Sequence, residues 1–299
     1  MTIIQKSSIP TKDTEFIANE AISLQESDPD LQEESSISLK NGVNTLTARY
    51  SQKTTNSSPK PFIFVPLTLD GRTHIVTKET ISLVDEVPLK VLKQMTEFFY
   101  ENAFLDHTLD KFIRSHSDPH GARFAKWIHQ KLSGSNLWDK DRKHRDKNPV
   151  KVAGGRYAVV HDRSSAHAAA WNSPKRDKNE VGRHFQLDES RVWMRLHFWA
   201  MRETGLLELS PSFADYYVRF IGHFVRVYEN LAPLFARDSF RWSENKENIK
   251  KYKKRGRKMK DVIGISMRTA LAQIPEDEAN DVVWPYNKIQ EYSNGNESW

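Results

Sequence analysis

The chain contains no cysteine. That absence excludes disulfides, thiolate catalysis, cysteine zinc sites, thiolate-bound haem and covalent haem attachment. Apolar residues are also scarce, at 38 % of the 299 residues, below the usual level for a packed domain. Part of the chain is therefore expected not to pack. No apolar run approaches the ~20 residues needed to span a bilayer. The opening stretch MTIIQKSSIPTKDTEF lacks the long apolar centre of a secretory signal. These absences favour a soluble, cytoplasmic protein with no membrane partner. A nucleophile elbow, a Walker loop and a dinucleotide fingerprint are missing too, since Gly154-Gly155 alone is too little.

What is present falls into three segments. Residues 1–58 are rich in Ser, Thr, Glu, Asp and Asn, without a sustained apolar period, and read as a disordered tail. Residues 59–236 read as a helical domain. Residues 237–299 read as a basic extension built around Lys250–Lys260, KKYKKRGRKMK, with a sticky patch at Val282–Tyr286. The net charge is +6, and its excess lies toward the C-terminus.

Within the domain, apolar runs on either side of Asp70-Gly71 predict a short hairpin, and Pro66 argues against a central strand. Four helices of useful length follow, over 87–104, 118–132, 188–206 and 211–231. Leu89, Leu92, Met95, Thr96, Phe99 and Ala103 form one stripe at helical spacing. Ser117-Asp118-Pro119 and Ser210-Pro211 are helix starts. Phe213, Tyr216, Tyr217, Phe220, Ile221, Phe224 and Tyr228 form the cleanest amphipathic stripe, with Arg219 and Arg226 away from it. The charged run 139–149 predicts an exposed loop. His161–Trp171 is read as a short helix containing His167. The segment Gly182–Leu207 places His184 in a polar loop ahead of a helix starting at Asp188. Large apolar groups occur on more than one side of that helix, which predicts a central, buried position.

FFYENAFLDHTLDKFI, DPHGARFAKWI and GRHFQLDESRVWM resemble, in that order, the second-helix, distal-helix and proximal segments of truncated haemoglobins, the tryptophan-bearing second group above all. The resemblance covers residues 75–231. It implies an all-α, globin-like helix sandwich holding haem b without covalent bonds and binding dioxygen or another diatomic gas. His184 corresponds to the proximal iron ligand, Tyr100 to the distal tyrosine, His120 to a ligand-facing position, Phe124 to a pocket wall and Trp193 to the tryptophan beside the haem. The stretch before His184 is longer than in that family, which makes His167 the rival iron ligand. Any catalysis would be haem-based redox chemistry, nitric oxide dioxygenase-like or peroxidase-like, with an electron-donor protein as partner.

Two alternatives come from the residues themselves. The run 250–260 suits phosphate contacts with nucleic acid or an acidic partner, and also reads as a nuclear localisation signal. His161, His167 and His184 offer imidazoles for a non-haem metal, without tight ligand spacing. His197 and His223, inside helices, read as core histidines.

Overall fold

The computed structural model describes residues 61–71, 73–145, 149–151, 155, 157–159, 163–281 and 284. The chain divides into two units, 1–45 and 46–299, and every described residue belongs to the second. The expected tail at 1–58 and His161 lie outside the described residues, as does most of Val282–Tyr286.

Strands β1 (Leu69–Asp70) and β2 (Thr73–His74) pair antiparallel around Gly71, whose φ is 56°. This is the predicted hairpin, with Pro66 outside both strands. Helices α1 (Lys78–Asp85) and α2 (Leu89–Ala103) follow, then a 3-10 turn at Asp110–Phe112. Next come α3 (His120–Ser133), α4 (Leu137–Lys143), the small hairpin of β3 (Pro149–Lys151) and β4 (Tyr157–Val159), and α5 (Arg163–Trp171). The second half holds α6 (Leu187–Glu203), α7 (Leu206–Leu209), α8 (Pro211–Val225), a 3-10 turn at Ala232–Phe235, α9 (Ala236–Glu244), α10 (Lys246–Lys254), α11 (Met267–Leu271) and α12 (Glu276–Ala279). The described part is thus mostly helical, as an all-α reading requires, and none of these helices is long and apolar enough to cross a membrane.

Helix α2 buries Leu92, Met95, Thr96, Phe99 and Ala103, the stripe expected from its period. It crosses α3 at a glycine: a Cβ on Gly121 would stand 2.8 Å from the Glu97 backbone. The Thr96 hydroxyl donates to the Gly121 carbonyl at that crossing, 2.7 Å away. Gly134 then ends α3 in the left-handed region, at φ 73°, where a side chain would be strained.

Helix α6 is buried on nearly all sides, as its composition predicts. Its first turn is closed by the Glu189 carboxylate, which accepts from the Gln186 N–H at 2.7 Å. One flank carries Arg191 and Arg195, both buried. Each donates to the Asp238 carboxylate of α9, at 3.2 and 3.3 Å, and Arg195 also reaches Asp261 at 2.6 Å. Buried cations persist only when paired in this way.

Helix α8 starts where Ser210-Pro211 predicts, with the Ser210 hydroxyl accepting from the Phe213 N–H at 3.2 Å. Arg219 departs from expectation. It is buried, donates to the Val65 carbonyl at 2.7 Å and lies 4.4 Å over the Phe64 ring, so it clamps the extended N-terminal segment onto α8. The segment beyond residue 237 contributes Trp242, Ile249, Tyr252, Met259 and Val262 to the same core as the earlier helices. Residues 139–143, expected as loop, form most of α4. The Gln130 side-chain oxygen accepts from the Trp138 and Asp139 N–H groups and caps that helix.

Candidate functional site

One cavity of about 320 Å³ opens between α2, α3, α5, α6 and α8. Its volume falls at the lower end of the range for small-molecule sites. Phe99 and Tyr100 come from α2, His120, Phe124 and Trp127 from α3, and Trp193 from α6. Leu109 and Phe112 close it from the 3-10 turn, and Ala169 and Ala170 from α5. Phe99 belongs to the apolar stripe of α2, and Tyr100 stands beside it. The wall is aromatic.

Tyr100 is partly buried, and loss of water around its hydroxyl pushes its pKa up to about 12, so it is a neutral phenol at pH 7. Among the described residues its hydroxyl has no hydrogen-bond partner. Its ring stacks on His120, 5.1 Å between centroids. The His120 Nε2 lies 2.8 Å from the Ser115 carbonyl. A carbonyl only accepts, so Nε2 carries the proton. Burial lowers the His120 pKa, which keeps the imidazole neutral. Phe124 and Trp193 meet edge to face at 6.1 Å. Behind Trp193 lies His197, parallel at 4.7 Å, with its Nε2 2.7 Å from the Tyr217 hydroxyl. Burial drives His197 down to about 3. It is the neutral, hydrogen-bonded core histidine expected of a helix interior.

The two candidate iron ligands separate. His184, expected as the proximal residue, does not line the cavity: it is exposed, and its ring stacks on Trp171 at 4.1 Å. Its neighbour Phe185 takes the inward position, packed against Phe112, Trp171, Tyr228 and His167. Outside a helix, adjacent side chains point opposite ways, and the apolar one goes inside. His167, the rival, does line the cavity, and its Nδ1 lies 2.9 Å from the Tyr228 hydroxyl. Tyr100, His120, Phe124, Trp193 and His167 therefore meet around one space, and His184 stays outside it.

Sequence reasoning missed part of the lining. Tyr228 belongs to the amphipathic stripe of residues 213–231, whose period marks it as core and nothing more. Phe185 lies in an irregular segment, where no period marks an inward residue. Arg114, Arg123 and Arg145 stand at the cavity with Asp118 and Glu189. Arg114 donates to the carbonyls of Ala169 and Asn172, Arg123 lies 3.8 Å from Asp118, and Arg145 pairs with Asp141. Burial raises the pKa of Glu189. Among the described residues, no group of three or more His, Asp or Glu side chains is placed to hold a metal ion.

Compared with protein-family models, curated proteins and solved structures, the chain has no significant match.

Proposed function

We propose that the cavity binds haem b without covalent bonds and that the protein takes up a diatomic gas there. The reading rests on one observation: the cavity brings together Tyr100, His120, Phe124, Trp193 and His167, five residues that the resemblance or its rival reading singled out. His167 is the iron ligand in this proposal, in place of His184, which is exposed and off the cavity wall. Its Nδ1 lies 2.9 Å from the Tyr228 hydroxyl. A second partner on the far nitrogen of this kind fixes ring orientation and tautomer in metal-bound histidines.

The donor chemistry fits. A neutral imidazole is a suitable haem ligand, and flat aromatic walls suit an apolar macrocycle. Haem, when bound, supplies reversible gas binding at its iron. The chain supplies the surroundings. Tyr100 offers an uncommitted hydroxyl as donor to a polarised ligand. Phe124 and Trp193 exclude water. Arg114 and Arg123 present cations to carboxylates at the edge of the cavity.

Titrating the purified full chain with haemin tests this. A saturable 1:1 Soret band is expected, abolished or shifted by His167→Ala and unchanged by His184→Ala. Absence of a saturable band, or a His167→Ala spectrum identical to that of the parent, would overturn the reading.

A further inference from the structure

We propose that α10 and the loop running on to Lys260 form a binding surface for the phosphodiester backbone of a nucleic acid, independent of base sequence. This surface is separate from the cavity, and the proposal does not depend on haem.

The charge distribution is the first observation. Nine lysines and arginines against Glu247 alone give residues 246–260 a charge of +8. The whole chain carries +6, so all other residues together carry −2. The protein is close to neutral apart from one helix and its exit loop.

The second observation is that this charge is displayed on folded structure. Ile249 and Tyr252 of α10 are buried, as is Met259 beyond it. The Tyr252 hydroxyl donates to Asp106 at 2.8 Å. Arg257 donates to the Asn102 side-chain oxygen at 3.0 Å, and its carbonyl accepts from the His107 N–H at 3.3 Å. The basic stretch is thereby fixed to the corner after α2.

The third observation is that the cations lack counter-charges, although Lys253 also lies 5.0 Å over the Trp199 ring. Lys251, Lys253, Lys254, Arg255, Lys258 and Lys260 are exposed, and none makes an ion pair among the described residues. Lys250 alone has one, a 3.6 Å contact to Glu247 with both side chains largely in solvent. Like charges at helical spacing repel one another. Six of them held together without counter-charge form a focused positive potential that attracts polyanions. The nine residues of α10 extend about 14 Å at the helical rise, which spans several phosphates of one strand at roughly 3.4 Å each along the duplex axis.

The same burial decides against a membrane. A helix that lies in a lipid surface inserts an apolar face, and the apolar face of α10 is occupied by the protein core. What remains outward is charge, and charge alone suits a phosphate chain.

The experiment measures fluorescence anisotropy of the full chain with two labelled duplexes of unrelated sequence, in 50 to 200 mM salt. Both are expected to bind alike, with log K falling against log salt at a slope of about −4 to −5, as five or so phosphate contacts require. Replacing Lys251, Lys253, Lys254 and Lys258 by Gln is expected to weaken binding about a hundredfold at 50 mM and to flatten the slope by about 3. A control replacing the exposed Lys78, Lys90, Lys93 and Lys178 by Gln removes the same charge and is expected to change affinity less than about threefold. The same four positions of the basic stretch changed to Arg are expected to keep binding. No duplex binding at 50 mM would overturn the proposal. So would equal losses in the two Gln variants, which would make the effect one of net charge. Binding to phosphatidylserine vesicles with none to duplex would overturn it in favour of a lipid surface.

Discussion

The Nδ1 of His167 and the hydroxyl of Tyr228 stand 2.9 Å apart, with their rings edge to face at 4.6 Å. This pair ties α5 to the chain just beyond α8, across the cavity. Tyr228→Phe keeps the ring and removes the hydroxyl. It is expected to lower stability by about 1 kcal/mol, the usual net worth of such a bond. Under the haem proposal it also lowers haemin affinity about 10- to 100-fold, as loss of an orienting partner does elsewhere. Haemin transfer to an apo-acceptor measures the second effect and urea midpoints the first. An unchanged haemin affinity would separate His167 from iron binding.

Gly121→Ala tests the crossing of α2 and α3. The added methyl meets the Glu97 backbone at 2.8 Å, and backbone cannot rotate aside as a side chain does. The two helices must separate, at a cost of about 1–3 kcal/mol. The thermal midpoint is expected to fall by several degrees. A midpoint equal to that of the parent would mean that the helices do not approach this closely.

Stability is expected to depend on pH through two histidines. His197 is driven down to about 3 by burial, and His74 to about 4 by burial and then by His223 and Lys131. Both folded values lie below the ordinary 6.5. Above pH 6.5 each ring is neutral whether the chain is folded or not, and the full stability is present. As pH falls from 6.5 toward 4, the unfolded chain takes up protons that the folded chain refuses, and stability is lost. His197 alone accounts for a slope of about 1.4 kcal/mol per pH unit in that window. His74, partly open to water, adds less. Urea midpoints at pH 7 and 5 measure the slope, and His197→Phe is expected to reduce it.

Asp106 and Tyr252 are coupled through a buried hydrogen bond of 2.8 Å. Tyr252→Phe strands one carboxylate oxygen and is expected to cost about 1–2 kcal/mol. Asp106→Ala costs more, because Asp106 Oδ1 also accepts from the Thr108 and Leu109 N–H groups. A double-mutant cycle is expected to give an interaction energy above about 0.5 kcal/mol, and a value of zero would remove the anchor proposed for α10.

The elements most legible in the sequence were those stabilised by their own periodicity. The α2 stripe and the Ser210 cap of α8 could be read because period and hydroxyl act within a few residues. Helix α4 could not, because it is capped by Gln130 and braced by the Lys126–Asp141 pair, both from α3. Arg219 looked solvent-facing because its partner, the Val65 carbonyl, lies far away in sequence. At the cavity, Tyr100, His120, Phe124 and Trp193 were singled out by the resemblance of their segments, not by any pattern of their own. The error at His184 was one of parity. A one-residue step in an irregular segment decides which of His184 and Phe185 turns inward, and no local pattern records it.

Arg191 and Arg195 lie one helical turn apart on α6, while Trp193 sits about 200° around the axis from Arg191 at 100° per residue. The guanidiniums reach for fixed carboxylates on α9 and at Asp261, while the indole lines the cavity. A slip of α6 by a single position would swing both cations away from their counter-charges into an apolar interior. The helix is therefore keyed like a shaft in its bore, and the angle at which Trp193 meets an incoming molecule is set during folding.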